Sequence, residues 1–127
     1  MPEFCAERVA RALNDLSKPV RGSRVLVLGV AYKPGVGDLR ESPAIKIMGL
    51  LAKSGADLSF HDDHVPELPE FGLHSEPLDV ALGSADVAVI VTAHSGLDVE
   101  AVVRSAPLVV DFRGVTRGIE APNLVRL

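Results

Sequence analysis

Lys33, Asp38, Arg40 and Arg113 are the side chains whose types and positions could hold an anionic ligand. Lys33 closes GVAYK, directly after the apolar run VLVLG, where its amine can meet a phosphate as a point charge. Asp38, Arg40 and Glu41 follow in PGVGDLRESP, which ends on Ser42-Pro43. Serine as N-cap with proline at the first helical position starts a helix, and a helix N-terminus favours an anion. Arg113 stands in VVDFRG, at the end of a later Val-rich run. Each residue also has a plainer reading. Asp38 and Arg40 suit an ion pair that braces the loop, and Arg113 suits a surface arginine beside a turn. The connection from Val30 to Ser42 is 13 residues long, where a strand-to-helix loop usually takes about 2–6. Long loops on a rigid scaffold often carry function. Its glycines match neither GxGxxG nor GxxxxGK[ST], so it is neither of those phosphate cradles.

Three other constellations carry less. His61-Asp62-Asp63-His64 has metal-ligating residue types, but neighbours on an extended chain point in opposite directions. No further ligand group stands out, although His74 and His94 remain open, and the tetrapeptide reads as a solvated turn. An acidic pair with a lysine resembles a phosphoacceptor site, but there the acidic pair follows the first strand and the lysine comes late. Here Lys33 precedes Asp62-Asp63. Cys5 falls on the inward stripe of a helix with no histidine nearby, which suits a packed thiol rather than a nucleophile. No catalytic residue and no metal ligand is assigned.

The elements that must position these residues follow from periodicity. Cys5, Val9, Ala12, Leu13 and Leu16 recur near 3.6 and predict an amphipathic helix over 3–17. RVLVLG (24–29) and DVAVIVT (86–92) are apolar throughout, as parallel strands covered on both faces are. Shorter strands are expected at 56–61, 108–112 and 123–127. Helices are expected from Ser42-Pro43 to Gly55, over 79–84 and over 98–105. The stretch 62–77 holds Pro66, Pro69 and Pro77 and reads as a loop, with a short edge strand near Leu73-His74. Strands alternating with helices predict a three-layer α/β fold with a mainly parallel sheet, preceded by an N-terminal helix. Right-handed crossovers then bring the loops from Ala31, Asp62, Ala93 and Arg113 to one sheet edge, where such folds bind ligands.

Composition narrows the function classes. A chain of 127 residues is one domain with a real core. Net charge is -4 and aromatics are 4%, which argues against a nucleic-acid partner. A single cysteine fits a reducing compartment. No apolar run nears the ~18 residues of a membrane helix, and the start lacks a signal-peptide layout. The expected localisation is cytoplasmic, and the opening helix reads as cut from a longer chain.

GVAYKPGVGDLRESPAIKIMGLL resembles the opening of the C-terminal, nucleotide-binding domain of the UDP-glucose/GDP-mannose dehydrogenase family. The family pattern is a strand, G-x-[AS]-[FY]-K, a variable run, then D-x-R-x-S-P. Gly29, Tyr32, Lys33, Asp38, Arg40, Ser42 and Pro43 match it. Thr92-Ala93-His94 and Val109–Gly114 match further on. One departure stands at Val36-Gly37, where many members carry Ser or Thr.

The resemblance implies a Rossmann-like domain over 20–127 that binds a nucleotide sugar, with 1–19 the end of a central helical region. It implies that Tyr32, Lys33 and Arg113 contact the UDP-sugar (or GDP-sugar), and that Asp38, Arg40 and Ser42 organise the loop. Whole members are NAD-dependent enzymes that oxidise a sugar C6 alcohol to a carboxylate. The NAD is bound by an N-terminal domain this chain lacks, and the isolated domain is expected to be inactive. The full-length protein is expected to be a homodimer. Competing readings are a stand-alone sugar-nucleotide sensor and a protein-interaction domain. An upstream reading frame with GxGxxG and a catalytic cysteine would separate the enzyme from both.

Overall fold

The structure is a computed structural model that describes residues 2–31, 39 and 42–126. Among these residues, five strands form one parallel sheet: β1 (Arg24–Leu28), β2 (Asp57–His61), β5 (Val87–Ile90), β6 (Val109–Asp111) and β7 (Leu124–Arg126). Their order across the sheet is β2-β1-β5-β6-β7. A separate antiparallel pair, β3 (Glu67–Leu68) and β4 (Leu73–His74), lies within the proline-rich stretch. The strand expected near Leu73-His74 therefore exists, but it pairs locally rather than at the edge of the main sheet.

Strand β1 shows why the sheet is central. Its residues alternate between two cores. Val25 and Val27 join the cluster built with Val9 and Leu13 of helix α1 (Pro2–Asp15) and Ile47, Met48 and Leu51 of α2 (Pro43–Lys53). Leu26 and Leu28 join the cluster built with Ala81 and Leu82 of α3 (Leu78–Ser84) and Val102 and Val103 of α4 (Val99–Ser105). A strand between two apolar layers has no polar face, which is why RVLVL reads as a continuous apolar run. Each such fully buried side chain contributes about 1.5–3 kcal/mol.

Helix α1 ends at Asp15, before Leu16, which is 47% exposed and not part of the buried stripe. The first crossover, through α2, carries the chain from β1 to β2 on one side. The next returns through α3 to β5 on the other side of β1. The chain therefore reverses direction between β1 and β5, and that crevice is where doubly wound sheets take their ligands. Among the described residues no helix is long and apolar enough to cross a membrane.

Candidate functional site

Tyr32, Lys33, Asp38 and Arg40 lie outside the described residues. What the structure describes is the stem that launches them, Gly29-Val30-Ala31, and the edge against which that stem is held.

Gly29 leaves β1 with φ +84°, and a Cβ there would sit 1.8 Å from the carbonyl oxygen of Thr92. Only glycine tolerates both the backbone angle and so close an approach. The amide of Gly29 still bonds the carbonyl of His61. Beyond it Val30 and Ala31 have left the ladder while remaining fully buried. Their backbone groups must find partners elsewhere, because an unpaired buried amide or carbonyl is costly.

Side chains from three elements supply those partners. The amides of Val30 and Ala31 both donate to Asp62 Oδ2, at 2.8 and 3.1 Å. The carbonyl of Val30 accepts from Ser42 Oγ at 2.5 Å. The carbonyl of Ala31 accepts from Thr92 Oγ1 at 2.7 Å. Asp62 follows β2, Ser42 precedes α2 and Thr92 follows β5.

Two expectations change here. Ser42 stands at the N-cap position of α2 with Pro43 next, but its hydroxyl makes no cap bond to that helix. It is spent on Val30 instead. The stretch His61–His64 is not simply a solvated turn, because Asp62 is 2% exposed. Its other oxygen, Oδ1, accepts from the amide of His64 at 2.8 Å and lies 3.0 Å from Nε2 of His94. The two imidazole rings pack at 4.4 Å between centroids. Burial pushes the Asp62 carboxyl up, but the amides of His64, Val30 and Ala31, together with His94, hold it below the ordinary carboxylate value. Asp62 is therefore an internal anion seated on the amides of Val30 and Ala31, just past Gly29. His61 Nδ1 faces the carbonyl of Glu76 at 2.7 Å, and Nε2 lies 3.6 Å from Asp63. Among the described residues no three His, Cys, Asp or Glu side chains are placed to share a metal ion.

The remaining crevice between β1, β2 and β5 is about 20 Å³, lined by Gly29, Asp62, Thr92 and His94 among others. That is room for about one water molecule.

Arg113 is exposed, two residues beyond the end of β6. Its loop is held from beneath by Asp111, 1% exposed. Asp111 Oδ1 accepts from the amides of Arg113 and Gly114 at 2.8 and 2.9 Å. Oδ2 accepts from the amide and hydroxyl of Thr116 at 2.9 and 2.6 Å. Burial again raises this carboxyl, and the Thr116 hydroxyl with the three amides outweighs it, so the net direction is down. Arg126 of β7 secures the far side by donating to the carbonyls of Thr116 and Ile119. The exits of β1 and β6 are two strands apart across β5, roughly 10 Å.

Sequence reasoning missed Asp62 and Thr92 as holders of the stem and Asp111 as the organiser of the Arg113 loop. The only signal for Asp62 was its place directly after a strand at the ligand edge.

The model of the UDP-glucose/GDP-mannose dehydrogenase family, UDP binding domain, matches residues 26–118. The UDP-N-acetyl-D-mannosamine dehydrogenase of Escherichia coli is 38% identical over 92 residues, covering 68% of this chain and 22% of that protein. The UDP-glucose 6-dehydrogenase of Haloferax volcanii is 36% identical over 115 residues, covering 82% and 26%. In structure, an NDP-N-acetyl-D-galactosaminuronic acid dehydrogenase from Methanosarcina mazei superposes with TM-score 0.82 at 27% identity, covering all of this chain and 28% of that one. The chain thus spans about a quarter of the length of these relatives.

Proposed function

Since the chain belongs to the UDP-glucose/GDP-mannose dehydrogenase family, we propose that it is the UDP-sugar-binding part of an NAD-dependent nucleotide-sugar 6-dehydrogenase. In this reading residues 20–127 hold the nucleotide, and residues 1–19 end a central helical region. The observation that carries it is the family match over 26–118, which encloses both the loop from Ala31 and Arg113 on one sheet edge. Tyr32 and Lys33 lie against the nucleotide and its phosphates, Lys33 as a point charge, and Arg113 contacts the nucleotide sugar end from the β6 exit. Asp38, Arg40 and Ser42 shape the loop between them.

Binding the nucleotide far from the reacting carbon gives orientation at C6, where the alcohol is oxidised to a carboxylate. NAD, held by the rest of the enzyme, supplies the hydride acceptor. Its placement outside this chain is supported by Asp62, which already uses the amides of Val30 and Ala31 that a dinucleotide phosphate would need. The working enzyme is a cytoplasmic homodimer, and this chain alone turns nothing over.

Calorimetry tests the reading. UDP is expected to bind the native chain weakly, and Lys33→Ala to weaken it by about tenfold, the worth of one charge-assisted contact. No heat from the native chain at millimolar UDP would overturn the proposal.

A further inference from the structure

We propose that helix α1 is a rigid handle of the sheet. Residues 2–15 and the parallel sheet move as one body, and any movement of that body against the rest of a full-length enzyme takes place on the N-terminal side of α1. The place in a full-length enzyme rests on the reading above; the union of α1 with the sheet does not. The family match begins at residue 26 and so leaves α1 outside the domain. The packing puts it inside. Val9, Ala12 and Leu13 are at most 2% exposed and share one core with Val25 and Val27 of β1. Undocking α1 would return these side chains to water and open that core.

A hinge between α1 and the sheet would have to lie in the connection over 16–23, since hinges are loop or element-terminal residues that absorb backbone rotation. Both ends and the middle of that connection are tied down. The amide of Ser17 donates to the carbonyl of Asn14 at 2.9 Å, and that of Lys18 to the carbonyl of Leu13 at 3.0 Å. Ser17 itself is left-handed, with φ 60°. This pair of bonds around a left-handed residue fixes the direction in which the chain leaves the helix. Lys18 Nζ then meets Asp86 Oδ1 at 3.2 Å, and Oδ2 of the same carboxylate accepts from the amide of Arg24 at 2.8 Å. One carboxylate just ahead of β5 therefore holds both ends of the connection. Between them the hydroxyl of Ser23 donates to the carbonyl of Pro19, and the amide of Gly22 to the carbonyl of Gly55 at 2.9 Å. A segment that opens on its own has few such bonds. The superposition on the Methanosarcina mazei enzyme takes in all of this chain, α1 together with the sheet.

The test is native-state amide hydrogen exchange on the 127-residue chain, comparing residues 9–13 of α1 with β1. Protection is expected to agree within about threefold and to fall together as urea is added, because both open only by unfolding of the whole body. A wider gap, with α1 exchanging first, would overturn the proposal. Two variants sharpen it. Leu13→Ala is expected to lower protection at least about 30-fold in α1 and β1 alike, the effect of one emptied core position. Ser17→Gly, which suits the left-handed angle and folds readily, is expected to raise protection about fivefold in both. A flexible joint would respond the other way, because glycine would loosen it, and faster exchange in α1 alone in either variant would sink the idea. UDP at ten times its Kd is expected to raise protection about tenfold in α1 as well as in β1. A rise confined to the sheet would show that α1 does not share in the liganded body, and the handle would fall. If UDP does not bind, the reading above falls, while the unliganded comparison still decides whether α1 and the sheet are one body.

Discussion

Two buried aspartates at the same sheet edge do different jobs. Asp111 closes on its own loop, and all its partners lie within five residues, at Arg113, Gly114 and Thr116. Asp62 reaches across the fold to Val30 and Ala31, more than thirty residues away, as well as to His64 and His94. One carboxylate shapes a turn. The other joins the exits of β1, β2 and β5. The difference teaches that an equal number of bonds can carry unequal structural weight, because local bonds order few residues while long-range ones tie segments whose separate ordering is costly.

The strongest challenge to this contrast is at Gly29, the residue that lets β1 and β5 exits meet. Gly29→Ala is expected to lose on the order of 4 kcal/mol or more, since its methyl would overlap a backbone carbonyl. A denaturant midpoint within error of the native value would show that the exits do not need to meet.

Next in size is the direct comparison. Asp62→Ala strands the fully buried amides of Val30 and Ala31, while exposed His64 can turn its amide to water, and is expected to cost about 4 kcal/mol. Asp111→Ala frees amides at exposed Arg113 and half-buried Gly114, which can turn to water, but strands the amide and hydroxyl of fully buried Thr116 within one short loop, and is expected to cost about 3 kcal/mol. Equal losses in urea unfolding would break the contrast. Hydrogen exchange sharpens it, with changes confined to about 111–118 for Asp111→Ala and spread to 29–31 and 92–94 for Asp62→Ala.

Acid unfolding gives a smaller signal. Asp62 and Asp111 both titrate below the ordinary value in the folded chain. Asp86, whose carboxylate accepts from the amide of Arg24 and from Lys18, does the same at the opposite edge. A depressed folded value means that these groups add stability that is full above the unfolded value of about 3.9 and is lost as pH falls through the folded values. Stability is therefore expected to be flat near neutrality and to fall below about pH 4. Asp111→Asn is expected to flatten part of that fall, and an unchanged acid limb would argue against its depressed titration. The smallest effect belongs to Arg113→Ala, expected to change the unfolding free energy by less than about 0.5 kcal/mol while weakening UDP binding. A large loss of stability would move Arg113 from the ligand to the fold.

Much of the fold was legible in the residues. RVLVL and DVAVIVT announced covered parallel strands, and Ala44, Ile47, Met48 and Leu51 announced the buried stripe of α2. The Asp111 loop was half legible, since DFRGV places an aspartate two and three residues before the amides it accepts, with Gly114 at φ +74°. Ser42 was read correctly as the N-cap residue of α2, but the use of its hydroxyl was not legible, because nothing near it in sequence says that Val30 takes that hydroxyl in place of the helix. Asp62 looked like part of a solvated HDDH turn for the same reason.

The sequence by itself determined the parallel α/β framework, the family and the edge at which the long loop and Arg113 emerge, because strands, helices and motifs are written in local periodicity and spacing. Only the tertiary structure decided which polar side chains serve that edge. Buried amides and carbonyls left over where Val30 and Ala31 quit the sheet must be satisfied by whatever lies within about 3 Å. That neighbourhood is created by crossovers that bring residues 30, 42, 62 and 92 together, and no local pattern along the chain records it.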